Sequence, residues 1–196
     1  MTTLIFATNN KHKLEEMQLA IGHLLTVVSL QDAGITIDIP EPHDTLEANA
    51  SEKSRTIYKL TGQYCFSDDS GLEVEALNGE PGVKSARYAG EDNNFARNVA
   101  KLLTKLGDNT NRKARFRTVI SLIWQGQEHF FEGICEGEII HHPRGEHGFG
   151  YDPVFVPAGS MLTFAEMSME QKNLFSHRKR AAEKLVAFLQ QQLANA

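Results

Sequence analysis

Apolar positions change their period along the chain, and each change marks an element. Leu4-Ile5-Phe6-Ala7 is a short apolar run that predicts a strand, stopping at polar Thr8-Asn9-Asn10. Leu14, Met17, Leu19, Ala20 and Ile21 then fall at rough helical spacing up to Gly22, so the first unit of pattern is strand, polar turn, helix. Leu25-Thr26-Val27-Val28-Ser29-Leu30 predicts a second strand, and residues 31 to 45, with Gly34, Pro40 and Pro42, a long connection carrying Glu41 and Asp44. Thr45-Leu46-Glu47 opens a helix through Ala50, Ile57 and Leu60, capped by Gly62. Asn49 and Lys53 stand four apart on it and share a face.

Tyr64-Cys65-Phe66 predicts the next strand, delivering Asp68 and Asp69 at its end before Ser70-Gly71 turns the chain. A Gly- and Pro-rich loop from Asn78 to Gly90 precedes a helix marked by Phe95, Val99, Leu102, Leu103 and Leu106 and closed by Gly107. The period then drops to two on either side of Gln125-Gly126-Gln127, predicting a long-armed antiparallel hairpin. Gly145 to Pro157 reads as a loop, and the remainder as helical, with starts at Ser168 and Ser176. Strand–helix alternation followed by a hairpin implies a mixed sheet flanked by helices, in the α/β or α+β class.

Composition narrows the functional classes. A chain of 196 residues with 41% apolar and 23% charged residues is expected to form a single packed domain over residues 1–196. The formal net charge of −5 argues against a general nucleic-acid binder. The first residues carry neither a basic n-region nor a long apolar stretch, so no membrane association is expected and the expected location is the cytoplasm. Cys65 and Cys135 lack metal or redox spacing and read as two buried thiols. The histidines show no HExxH spacing, and no GxSxG elbow is present.

Four stretches carry candidate chemistry. Thr8, Asn9, Asn10, Lys11, His12 and Lys13 lie at a strand-to-helix turn, where backbone N–H groups and basic side chains suit a phosphate; a merely polar turn with an asparagine as helix cap is the competing reading. Asp68 and Asp69 crowd two carboxylates that a hard cation such as Mg²⁺ would relieve, though Asp-Asp also occurs in plain turns. In Gly148-Phe149-Gly150-Tyr151-Asp152-Pro153 an aromatic flanked by glycines can lie against a planar base, or can plug a core. Ser176-His177-Arg178, with Lys172 before it, offers donors to carbonyl oxygens or is a solvated helix start.

Taken together, Ala7-Thr8-Asn9-Asn10-Lys11, Thr45-Leu46 with Asn49-Ala50 and Lys53, Ser67-Asp68-Asp69-Ser70-Gly71-Leu72, Pro81-Gly82-Val83 with Ser85-Ala86-Arg87-Tyr88, Gly148 to Pro153, and Ser176-His177-Arg178 resemble, in order, the inosine triphosphate pyrophosphatase family. The resemblance implies an elongated twisted mixed sheet in two lobes with a central cleft, and a homodimer. It also implies Mg²⁺, one ion per subunit or more with substrate, and hydrolysis of ITP, dITP or XTP to monophosphate and pyrophosphate. On the same basis Asp69 is the expected catalytic carboxylate and a metal ligand, and Glu41 a second ligand. Thr8 to Lys13 and Lys53 are expected to contact phosphate and sugar, with Asp68 and Ser70 as further substrate contacts. Phe149, Gly150, Tyr151 and Asp152 would form the base-stacking loop, and Lys172, His177 and Arg178 would read the 6-keto edge. The chain departs from the family at Ala48, where a glutamate is usual; Glu47 lies one residue away, a rotation of ~100° on a helix. Two other readings stand beside this one. The Gly-Phe-Gly-Tyr-Asp-Pro block argues against the related septum-inhibitor type of nucleotide pyrophosphatase, and the intact Asp68 and Asp69 argue against a non-catalytic nucleotide sensor.

Overall fold

The computed structural model describes residues 2–194. In chain order the elements are β1 (Thr3–Phe6), α1 (Lys11–Ile21), β2 (Thr26–Val28), α2 (Leu46–Thr61), β3 (Cys65–Val74), α3 (Phe95–Leu106), β4 (Lys113–Trp124), β5 (Gln127–Ile139), β6 (Phe155–Pro157), α4 (Met169–Asn173) and α5 (His177–Ala194). They form an α/β fold on a six-stranded mixed sheet of order β2-β1-β3-β4-β5-β6. β1 lies parallel to both β2 and β3, whereas β5 and β6 are antiparallel.

The helix boundaries follow local chemistry. Asn10, Thr45 and Asn94 cap α1, α2 and α3, each side chain accepting a backbone N–H three residues on; such caps contribute ~1 kcal/mol each. Gly62 ends α2 in the left-handed conformation that glycine adopts without a Cβ penalty. Ser168 and Gln171 form a reciprocal capping box on α4. Between β4 and β5, Gln125 and Gly126 both have positive φ, which matches a two-residue hairpin turn to the strand twist.

Two details differ from the pattern reading. β3 does not end at Asp69: it runs on through Ser70 and Gly71 to Val74. Gly71 is there for proximity, because a Cβ at this position would stand 2.5 Å from the Gly82 carbonyl oxygen. The segment expected to be a loop to Pro157 instead ends in a 3-10 turn at Asp152–Val154 followed by β6. Three residues are too few to show a period.

The chain divides into two compact units, each with its own core. The first comprises residues 1–69, 118–133 and 178–196. In it Leu4, Phe6 and Phe66 pack with Met17 and Ile21 of α1 and with Ala181, Leu185 and Leu189 of α5, and Phe6 stacks on Phe66 at 4.4 Å. The second comprises residues 70–117 and 134–177. Its core gathers Leu72, Val99, Leu102, Phe116, Tyr151, Phe155 and Phe164, with Phe116 edge-on to Phe155 at 4.6 Å. Among the described residues no helix is long and apolar enough to cross a membrane.

Candidate active site

In the first unit, charge converges on Asp68. β3 is buried on both faces here, so its alternation sends Asp68 and Asp69 in opposite directions into an interior where neither carboxylate can rely on water. α1 supplies Lys13, whose Nζ donates to Asp68 Oδ1 at 3.0 Å. α5 supplies Arg178, whose Nε donates to Asp68 Oδ2 at 3.0 Å and whose Nη1 pairs closely with Glu16 of α1. α2 supplies Lys53, whose ammonium donates to the Asp68 carbonyl oxygen at 2.6 Å and to Glu41 Oε1 at 2.5 Å. Glu41 is held in reach because Asn49, one turn before Lys53, clamps both backbone groups of His43 at 2.9 and 3.2 Å.

This arrangement drives the two neighbouring aspartates apart. Burial would raise the Asp68 carboxyl, but Lys13, Arg178 and Lys53 outweigh it and hold the group far below the ordinary carboxylate range. Asp69 is pushed up to about 6, first by burial and then by the Glu41 and Asp68 charges, with Lys53 and Lys13 only partly opposing. Burial works against the charged forms of Lys53 and Arg178 too. Lys53 is nonetheless raised by Asp69, Glu41 and Asp68, and Arg178 by Glu16 and Asp68. One carboxylate is thus a permanent anion within a basic cluster, and the next can exchange a proton near neutral pH.

The Glu41 charge helps to raise the Asp69 carboxyl, a repulsion that a hard cation relieves. Among the described residues there is no group of three or more His, Cys, Asp or Glu side chains placed to hold a metal. Two carboxylates suit an ion such as Mg²⁺, which keeps several waters and completes its shell with substrate phosphate oxygens. Glu41 and Asp69 are the carboxylates that would hold such an ion, and they do not form a closed protein cage.

At the start of α1, Asn10 is engaged as the cap, its Oδ1 accepting from Lys13 N at 3.2 Å, and Thr8 Oγ1 accepts from Asn10 N at 3.1 Å. Asn9, Lys11 and His12 are exposed. Thr8, Asn9, Asn10 and Lys11 line a cavity of about 280 Å³ with Gln18 and Asp32.

The second unit builds a different environment. Lys172 and Asp152 form a buried ion pair at 2.9 Å, and the same Asp152 oxygen accepts from Phe149 N at 3.0 Å. Gly148, at φ +75°, cannot be replaced quietly, since a Cβ would meet Asp152 Oδ2 at 2.1 Å. The Lys172 ammonium sits 5.1 Å from the Phe149 ring centre and 5.5 Å from that of Phe164. Phe149 is half-buried and tilted against Phe95 at 6.2 Å. Tyr151 lies in the core, its hydroxyl donating to the Ser85 carbonyl at 2.6 Å. His177 stacks nearly parallel on Phe116 at 4.8 Å. Ser70 is half-buried at the start of this unit, and Gly150 has the left-handed φ of +61°.

Of the residues expected to act together, Lys13, Lys53, Glu41, Asp68 and Asp69 converge in the first unit, and Phe149, Asp152 and Lys172 in the second. Arg178, which the resemblance groups with Lys172 and His177, is committed here to Asp68 and Glu16. Glu16 was not foreseen at all. A buried glutamate three residues after Lys13 shares its helix face, and that spacing was the available signal. Leu19, assigned to the apolar stripe, is 56% exposed. Both cysteines are buried thiols, and burial pushes the Cys65 thiol up to about 12.

A family model described as the Ham1 family matches residues 4–188. A dITP/XTP pyrophosphatase of Porphyromonas gingivalis is 53% identical over 190 residues, covering 96% of this chain and 98% of that one. A dITP/XTP pyrophosphatase of Flavobacterium psychrophilum is 49% identical over 185 residues, covering 94% and 97%. Among solved structures, the Staphylococcus aureus Ham1 protein superposes with a TM-score of 0.88 at 40% identity, over 97% of this chain and 100% of that one. A HAM1 protein from Coxiella burnetii gives 0.89 at 38% identity, with the same coverage.

Proposed function

Since the chain belongs to the Ham1 family, we infer that it is a nucleoside triphosphate pyrophosphatase hydrolysing non-standard purine nucleotides such as dITP and XTP. The observation that carries the mechanism is the split between Asp68 and Asp69: a fixed anion amid Lys13, Lys53 and Arg178, beside a carboxyl poised at about 6. Lys53 and Lys13, with the α1 turn, neutralise and orient the polyphosphate. Asp69 accepts a proton from water as its oxygen attacks the α-phosphorus; the bond from that phosphorus to the bridging oxygen breaks, and pyrophosphate leaves with the bond electrons. Asp69 and Glu41 would hold Mg²⁺, which would supply further charge neutralisation on the phosphate.

Phe149 presents its ring to the purine, and Lys172 and His177 meet the 6-keto side. A donor that meets an oxygen there faces an amino group in adenine, and its unmet hydrogen bond disfavours ATP. Arg178 contributes by fixing Asp68 and Glu16 and is available to the keto oxygen only if it leaves them. A homodimer, which the sequence resemblance implies, and a cytoplasmic location are part of the same proposal; sedimentation would test the dimer.

The experiment is product identification with Mg²⁺ on ITP, dITP, XTP, ATP and GTP. Pyrophosphate and monophosphate are expected from the first three. Orthophosphate alone, or equal use of ATP, would overturn the reading.

A further inference from the structure

Lys53 stands where a cation is needed, and it is a cation. Its ammonium is buried, bonded at 2.5 Å to Glu41 Oε1 and at 2.6 Å to the Asp68 carbonyl oxygen, with the Asp69 carboxylate acting on it electrostatically. Both candidate metal ligands are therefore already served by one lysine. The two contacts differ in kind. The carbonyl of Asp68 belongs to the β3 backbone and is fixed by the sheet, whereas Glu41 sits on a connection whose hold comes from the Asn49 clamp on His43. A four-carbon stem allows the ammonium to swing about the fixed contact and give up the other one.

We propose that Lys53 is a built-in stand-in for the divalent cation: it balances Glu41 and Asp69 in the metal-free protein, and is displaced from Glu41 when a divalent ion takes those carboxylates. The inference rests on the proposed pyrophosphatase reading for the identity of the ligands. It assigns Lys53 two states. Without metal it pairs with Glu41 and offsets part of the repulsion between the Glu41 and Asp69 charges. With metal it retains the Asp68 carbonyl and its freed positive charge becomes available to a phosphate. The exchange ties phosphate-binding capacity to arrival of the ion, and it means that the lysine and the metal oppose each other for the carboxylates while serving the same reaction.

Two experiments test it. In the unmodified protein, amine-specific labelling read by mass spectrometry should show Lys53 protected in EDTA and severalfold more reactive with Mg²⁺ alone, with Lys101 unchanged as an internal reference. Equal labelling of Lys53 in both conditions would overturn the exchange. In Lys53→Met, metal-free thermal stability should fall, whereas the affinity for Mn²⁺ alone, read by calorimetry, should tighten about tenfold because the competing charge is gone. Unchanged or weaker Mn²⁺ binding, or none in either protein, would overturn it. Wild-type pyrophosphate release from ITP separates the two claims: release together with unchanged labelling sinks the exchange alone, and no release sinks the pyrophosphatase reading whatever the labelling shows.

Discussion

The two units solve the burial of charge in opposite ways. In the first, Asp68 is shared among Lys13, Arg178 and Lys53, and Arg178 in turn serves Glu16, so Asp68 and Arg178 each have several partners. In the second, the Lys172–Asp152 pair is set among the rings of Phe149 and Phe164, with a backbone N–H completing the carboxylate. A polyanion can be accepted by a cluster of cations that already coexist at close range, since the enzyme has met the desolvation cost in folding. A planar, nearly neutral base calls for aromatic faces and one or two aimed donors.

The largest expected effect is at Asp69. Asp69→Asn should lower turnover by about 10²–10⁴-fold while leaving nucleotide binding, because the proton acceptor is lost and the shape kept. Its stability effect has the opposite sign. A carboxyl raised from 3.8 to about 6 is a liability absent below pH ~4 and complete above pH ~6, so the variant should be more stable than wild type by about 1–3 kcal/mol at pH 7, and no more stable at pH 4. Metal-free thermal melts at the two pH values check it.

Next comes redundancy. Lys172→Met strips the second unit's ion pair and should cost ~3–5 kcal/mol, whereas Lys13→Met leaves Asp68 with Arg178 and Lys53 and should cost about 1–2 kcal/mol. Urea unfolding of both variants reads this, and a reversed order would remove the distinction between the units.

Acid should separate them as well. Asp68 has a depressed carboxyl, so its contribution is fully present above its unfolded value near 3.8 and is lost as pH falls toward its lower folded value. The wild type should therefore lose stability steeply below pH ~4, and Asp68→Asn, less stable at neutral pH, should show a shallower decline. Parallel curves would mean that Asp68 is not the titrating support.

Smallest is Phe149→Ala. Loss of one stacking face should weaken ITP binding by ~1–3 kcal/mol, seen in KM more than in kcat, with little change in the melting temperature because the ring is only half-buried.

Much of this was legible along the chain. Thr45 and Gly62 marked the ends of α2 correctly because capping is local chemistry. The Gln125-Gly126 hairpin declared itself through the switch to period two. Glu16 was marked only by its three-residue spacing from Lys13, which does not set it apart from the adjacent Glu15 until tertiary contact with Arg178 selects one. The turn expected at Ser70-Gly71 was a strand because glycine there serves close packing against Gly82, a long-range reason no local pattern contains. Tyr151 and Phe149 sit two residues apart in one motif, yet the structure buries one in the core and leaves the other partly open.

The central claim is that water, deprotonated at Asp69, attacks the α-phosphorus. Turnover of ITP in ¹⁸O-enriched water, followed by mass analysis of both products, tests it most directly. Label in the nucleoside monophosphate with unlabelled pyrophosphate is the predicted result; label in the pyrophosphate, or its appearance in orthophosphate, would contradict the account.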